Sequence, residues 1–191
     1  ALLNTSIPDF DNNIDISESK AAKSIQYYDD FETPAKLEKL IELVQQFQNE
    51  NKKVVIWAHF IGTLKLIEKS LKALGIKVKT IHGSIPMESE EGLETRNDIR
   101  KEFIDADSGL DVLVANPGAC AESISLHKTC FDSIYYDLSF NCAQYLQSLD
   151  RIHRVGGSED VEVNYYVLQY ANTFEPDIID VLHERRDKMY N

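Results

Sequence analysis

The chain has 191 residues, of which 43% are hydrophobic, so it can bury a core without disulfides or a structural metal. Its net charge of −12 counts against a nucleic-acid function, because phosphate contacts depend on clustered Lys and Arg. No apolar run approaches the roughly 20 residues that a membrane-spanning helix needs, so we predict no membrane contact.

Residues 1–32 show little periodicity and carry scattered Asn, Asp and Ser, which predicts a linker or a partly helical arm. A helix is then expected to start cleanly, with Thr33 as its cap and Pro34 at its first position. It is expected to end within 49–53. The apolar residues that recur at helical spacing are Leu37, Leu40, Ile41, Val44 and Phe47.

Short apolar runs rich in β-branched residues follow, a pattern typical of strands buried on both faces of a parallel sheet. The runs are 54–57, 78–81, 112–115, 134–136 and 161–168. Helical spacing between and after them is carried by Leu64, Ile67, Leu71 and Leu74 before Gly75, by Ile99 and Phe103, and by Ile178, Ile179 and Leu182. This alternation predicts an α/β domain with a mostly parallel sheet covered by helices on both faces. Because ligands of such sheets bind outside the carboxyl ends of the strands, we expect the site in the loops after residues 57, 81 and 115.

The most informative segment is 147–157, QSLDRIHRVGG, because it places two arginines three residues apart. If the segment is helical, Gln147, Arg151 and Arg154 lie at i, i+4 and i+7 and share one face. Two guanidinium forks on that face match phosphate oxygens and stay charged at any working pH. The alternative is a solvated helix end, where cations are favoured before the glycine pair.

In its context this segment resembles the last signature motif of superfamily-two helicases, in the Q-x-x-D-R-x-H-R-x-G form of the Swi/Snf-type DNA translocases. Further pieces occur in the order that this family shows. They are KVVIWAHF at 53–60, IHGS at 81–84 with a helix containing 96–103, VLVANPGACAESISL at 112–126, and a strand within 161–168 followed by TFEPDIIDVLHERR. The resemblance covers roughly residues 33–190 and is specific as a set.

The resemblance implies that residues 33–191 form the second RecA-like lobe, a three-layer domain, of an ATP-dependent helicase or DNA translocase. It implies that Arg151 and Arg154 reach the γ-phosphate as catalytic arginine fingers. Gln147, Asp150 and Glu122 are expected around the ATP. The chain has no G-x-x-x-x-G-K-[ST] loop and no acidic pair of the Walker-B kind. ATP and Mg²⁺ would therefore be bound mainly by the N-terminal lobe of the full-length protein, and this chain alone would be inactive.

A nucleic-acid track, expected to carry duplex DNA, is also implied across the loops that follow the strands. The expected contacts are His59, His82, Gly83, Ser123 and Ser125. A histidine that follows a strand is also commonly a hydrogen-bonded surface group. The segment 119–125 lacks two glycines of the family's fifth motif, and glycine is what permits close approach of a backbone to a ligand.

Cysteine content indicates the compartment. Cys120, Cys130 and Cys142 are odd in number and show no C-x-x-C spacing, which argues against a disulfide framework and a zinc site. A reducing, cytoplasmic setting fits best. Cys120 is expected to pack rather than to act as a nucleophile.

Two other functions stay open. The acidic balance and the altered fifth motif also suit a non-catalytic RecA-like binding or scaffold module. A free-standing α/β domain that binds a small nucleotide by itself is the third possibility.

Overall fold

A parallel sheet with helices on both faces makes up the described part of the chain. The computed structural model describes residues 33–87, 92–120, 125–153 and 161–190. The strands are β1 (Val54–Trp57), β2 (Val78–Ile81), β3 (Val112–Ala115), β4 (Asp132–Tyr135) and β5 (Asn164–Val167). The helices are α1 (Ala35–Asn49), α2 (Ile61–Ala73), α3 (Arg96–Ile104), α4 (Cys142–Ile152) and α5 (Glu175–Tyr190), with a short 3₁₀ turn at Ala106–Ser108.

The strands lie in the order β2-β3-β1-β4-β5, and each neighbouring pair is parallel. Side chains along β1 alternate between two cores, because successive residues of a strand point to opposite faces. Val55 and Trp57 pack with residues of α3, α4 and α5, whereas Val54 and Ile56 pack with residues of α1 and α2. The predicted three-layer α/β architecture is confirmed.

The start of α1 differs from the prediction. Pro34, not Thr33, is the cap residue, and no side chain caps the helix. Its carbonyl accepts hydrogen bonds from the N–H groups of Leu37 and Glu38, at 2.7 and 3.1 Å. Proline suits this position because its φ of −57° needs no adjustment and its missing N–H is not required there.

Most predicted bounds agree with the structure. β1, β2 and β3 match the predicted runs, and α2 ends before Gly75, which adopts φ +76°. β4 begins two residues earlier than its apolar run, at Asp132, and β5 is shorter than predicted. Asp132 is buried in spite of its charge and accepts a hydrogen bond from the Asn164 side chain at 3.2 Å.

Two further expectations concern the N-terminal arm and membrane-spanning helices. The predicted arm at 1–32 lies outside the described residues. Within the part of the chain that the structure describes, none of the helices combines the length and the apolarity needed to cross a bilayer.

Candidate functional site

The carboxyl ends of the strands are level with one another. Trp57 at the end of β1 pairs with Ala115 of β3 and with Tyr135 of β4, and Ile81 at the end of β2 also pairs with Ala115. Loops that leave adjacent strands at the same height must run side by side. The loops predicted to carry the site are therefore neighbours, and the loop after β4 joins them.

His59 lies in the first of these loops, and its backbone is held from both sides. Its N–H donates to Oδ1 of Asp137 at 2.5 Å, and its carbonyl accepts from the Asn116 side-chain amide at 2.7 Å. Burial lowers the pKa of the His59 imidazole, so the ring is neutral at pH 7.

Asp137 and Asn116 are site residues that the sequence analysis missed. Burial raises the pKa of the Asp137 carboxyl to about 6, against the opposing effects of the His59 N–H and the Lys36 charge. Asn116 also accepts hydrogen bonds from the N–H groups of Gly118 and Ala119, at 2.9 and 3.3 Å. The sequence offered one signal for finding them, because each follows a buried strand within two residues.

The loop after β2 carries His82 and Gly83. Gly83 is exposed, and a Cβ built on it would meet no atom within 4 Å, so the space beside its Cα is open. The Nδ1 atom of His82 accepts a hydrogen bond from the N–H of Ser84 at 3.3 Å. One ring nitrogen of His82 is therefore already used in a hydrogen bond within its own turn.

The loop after β3 approaches α4. A Cβ added to Gly118 would lie 3.0 Å from Nε2 of Gln144 on that helix. Beyond it, Glu122 and Ser123 lie outside the described residues. Ser125 follows, and its hydroxyl lies 2.6 Å from Nδ1 of His127.

Helix α4 carries the predicted nucleotide-binding residues. Asn141 caps its start by accepting a hydrogen bond from the N–H of Gln144 at 3.2 Å. Gln147 and Asp150 are exposed on it, and Arg151 is half-buried. The predicted i, i+4 relation of Gln147 and Arg151 is confirmed, with Nε of Arg151 donating to the Gln147 carbonyl at 3.0 Å.

Helix α4 ends at Ile152, and His153 is extended, with φ −116° and ψ 116°. Arg154 lies outside the described residues. The helical relation is therefore seen for Gln147 and Arg151, and the position of Arg154 stays a prediction.

Arg151 lies beside the loop after β3. Burial raises the pKa of the Cys120 thiol to about 12, and the charges of Arg96 and Arg151 oppose this rise. The Arg151 carbonyl accepts a hydrogen bond from the N–H of Leu126 at 2.9 Å. The structure thus places two arginines, Arg96 and Arg151, next to the segment between β3 and β4.

Comparison with known proteins identifies the family. The model of the helicase conserved C-terminal domain matches residues 35–156, which is well over half of the chain. Among curated relatives, Helicase SWR1 of Cryptococcus neoformans var. neoformans serotype D is 27% identical over 157 residues, covering 81% of this chain and 12% of that protein. ATP-dependent helicase fft3 of Schizosaccharomyces pombe is 30% identical over 138 residues, covering 70% of this chain and 14% of that protein.

A solved structure agrees with these relatives. The C-terminal part of the Fun30 ATPase domain superposes with a TM-score of 0.67 and 25% identity, covering 78% of this chain and 46% of that one. The chain thus spans only a small part of the length of the curated relatives. With its RecA-like fold, the chain belongs to the helicase conserved C-terminal domain family, in its Swi2/Snf2-type branch.

Proposed function

We propose that this chain is the second lobe of an ATP-dependent DNA translocase and completes an ATP site shared with an N-terminal lobe of the full-length protein. The observation that carries the proposal is the position of Arg151. It lies in the last turn of α4, where its carbonyl accepts a hydrogen bond from the N–H of Leu126 in the segment between β3 and β4. Membership of the helicase family supplies the reaction class.

The proposed role of Arg151 and Arg154 is to stabilise the charge that builds up on the transferred γ-phosphoryl group. A guanidinium is suited to this task because its planar fork meets two oxygens and does not lose its proton. Gln147 and Asp150 share the helix and are proposed to orient the nucleotide, together with Glu122. The sequence has no G-x-x-x-x-G-K-[ST] loop and no acidic pair of the Walker-B kind, so we assign Mg²⁺ mainly to the first lobe. ATP, when bound, supplies the phosphoryl group whose hydrolysis drives movement.

The proposed nucleic-acid track runs over the loops at the carboxyl ends of the strands. His59 and His82 offer ring nitrogens, Gly83 offers exposed backbone, and Ser123 and Ser125 offer hydroxyl groups. The backbone and hydroxyl groups among these are uncharged donors, so a track built on them is compatible with a chain whose net charge is −12.

The test is ATP turnover by the full-length protein, with and without duplex DNA. Arg151→Ala and Arg154→Ala should each lower DNA-stimulated kcat by roughly 10³- to 10⁵-fold, with little change in DNA affinity. Arg186→Ala is the matched control, because Arg186 lies on α5 and pairs with its neighbour Asp187. The chain alone should be inactive. Near-normal turnover in both finger variants would refute the arginine-finger role.

A second candidate is a non-catalytic scaffold with the same fold. It is favoured by the Ala, Cys and Glu residues at 119–122, where close backbone approach would be served by glycine. Full-length protein that binds a partner but shows no DNA-stimulated turnover would support it.

The cytoplasmic setting also stays a prediction. The free, buried state of Cys120, Cys130 and Cys142 is compatible with it.

A further inference from the structure

One guanidinium holds two of the site loops together. Nε of Arg96 donates to the carbonyl of Ile85 at 2.7 Å, and Nη2 donates to that of Gly83 at 2.9 Å. Nη1 donates to the carbonyl of Ala119 at 2.9 Å. The backbone N–H of Arg96 adds a bond to the Pro86 carbonyl at 3.0 Å. The loop after β2 is thus bound at three carbonyls, and the same side chain reaches the loop after β3.

Arg96 occupies a position where helix formation alone would not select it. It is the first residue of α3, and a cation at a helix N-terminus opposes the positive end of the helix dipole. The helix start is secured by other residues, since Thr95 and Asp98 form a reciprocal capping box. A residue that breaks a local rule in this way is expected to serve packing or function.

Only a forked side chain can make this contact. The three accepting carbonyls belong to two loops, and the guanidinium reaches them with three different nitrogens. A lysine would offer a single nitrogen, which behaves as a point charge and cannot bridge the same set. The charge of Arg96 also lies close enough to Cys120 to oppose the rise that burial causes in the pKa of its thiol, as the charge of Arg151 does. Arg96 and Arg151 therefore flank the same loop.

We propose that Arg96 is a positioning residue that fixes the loop after β2 against the loop after β3 and so sets the affinity of the site for nucleic acid. The inference rests on the proposed function, because both loops belong to the proposed DNA track. All three of its side-chain nitrogens donate to protein carbonyls, so we assign Arg96 a role through the loops and not a direct phosphate contact. Its loss should disturb the spacing of the loops without removing a charge contact to DNA.

The experiment measures binding of a fluorescein-labelled duplex DNA to the full-length protein over a series of salt concentrations. Arg96→Lys keeps the positive charge and removes the fork, and Arg96→Ala removes both. Arg100→Lys is the matched control, because Arg100 lies one turn further along α3 and makes no hydrogen bond to either loop among the described residues. Thermal unfolding of each preparation shows whether it is folded at the assay temperature.

We expect Arg96→Lys to raise the Kd for DNA by roughly tenfold to a hundredfold, since small displacements of contacting groups are costly. In Arg96→Ala, which also removes the charge, the slope of log Kd against log salt should stay unchanged, and in neither variant should the affinity for ATP fall. A slope smaller by about one in Arg96→Ala would mean a direct phosphate contact and would overturn the positioning role. An unchanged Kd in Arg96→Lys, or an equal loss in Arg100→Lys, would also overturn it.

These outcomes are distinct from failure of the proposed function. If the unmodified protein neither binds DNA nor responds to it in ATP turnover, both proposals fall together. If it binds DNA and Arg151→Ala abolishes turnover while Arg96→Lys binds normally, the role of Arg96 alone is wrong.

Discussion

The backbone N–H of His59 donates to Oδ1 of Asp137 across the carboxyl edge of the sheet, with an N···O distance of 2.5 Å. This bond joins the loop after β1 to the loop after β4, two segments separated by almost eighty residues of sequence. It is made by a side chain on one partner and by main chain on the other. The Asp137 carboxyl therefore controls the position of His59 without depending on the histidine ring.

Asp137 should make the stability of the fold depend on pH. Burial raises the pKa of its carboxyl from 3.8 to about 6, so the folded chain holds this proton more tightly than the unfolded chain. The resulting stabilisation is complete below about pH 4 and is lost as the pH rises through about 6. Asp137→Asn keeps an oxygen that accepts from His59 and removes the titration.

We expect Asp137→Asn to leave the free energy of unfolding at pH 7 unchanged or to raise it, by at most about 3 kcal/mol. Urea unfolding across this pH range measures it, and the fall in stability with rising pH should be weaker in the variant. Asp137→Ala is the contrasting variant, because it leaves a part-buried N–H without its acceptor at a cost of about 1–3 kcal/mol. Equal pH dependence in the unmodified chain and in Asp137→Asn would contradict the assignment.

The ion pair of Lys36 and Glu175 should be costly to break from one side. Nζ of Lys36 lies 2.5 Å from the Glu175 carboxylate, and its side chain is only 6% exposed. Lys36→Met leaves Glu175 without this partner, so we expect a loss of about 3–5 kcal/mol in unfolding free energy. The double variant Lys36→Met with Glu175→Gln should regain much of that loss, since Gln can still accept from the N–H of Tyr170. A double-mutant cycle by urea unfolding tests this, and additive losses would exclude coupling.

Cys120 should be inert toward thiol reagents in the folded chain. It is fully buried, and burial raises its pKa to about 12, so the thiolate needed for reaction is scarce. Alkylation with iodoacetamide near pH 8 should proceed only as fast as the site opens, and mild denaturant should accelerate it. Mass spectrometry of peptides identifies the labelled cysteine. Rapid labelling of Cys120 under native conditions would show that the loop after β3 opens readily.

Gly75 should resist substitution because it ends α2 with φ +76°. A Cβ there has open space around it, so the expected cost is backbone strain alone, about 1–2 kcal/mol for Gly75→Ala. Gly75→Asn is the matched control, since Asn tolerates this conformation better than Ala. Thermal unfolding compares the two, and an equal loss in both would mean that strain is not the cause.

Local pattern was sufficient for the central strands. β1, β2 and β3 are uninterrupted apolar runs, which occur where both faces of a strand are covered. The start of β4 was not predicted, because the strand begins with Asp132 and Ser133, two polar residues that are nevertheless buried. Their burial depends on neighbours across the sheet, such as Asn164, which spacing along the chain cannot reveal.

The contacts of the site also divide into those that local spacing predicts and those that depend on the fold. The helical relation of Gln147 and Arg151 follows from a spacing of four residues, and it could be predicted. The bonds of His59 to Asp137 and Asn116 join distant segments, so they emerge only from the order of the strands. Arg96 was part of a recognised segment, yet its bonds to both loops could not be seen without the fold.

The three carbonyls that bind Arg96 also bear on how this site can evolve. Every amino acid, proline included, carries the same carbonyl oxygen, so a clamp that binds the main chain is indifferent to the side chains at positions 83, 85 and 119. Substitutions at these positions can alter what the loops present to a ligand while the loops keep their places. An arginine kept at position 96 would in this way leave the recognition surface free to change.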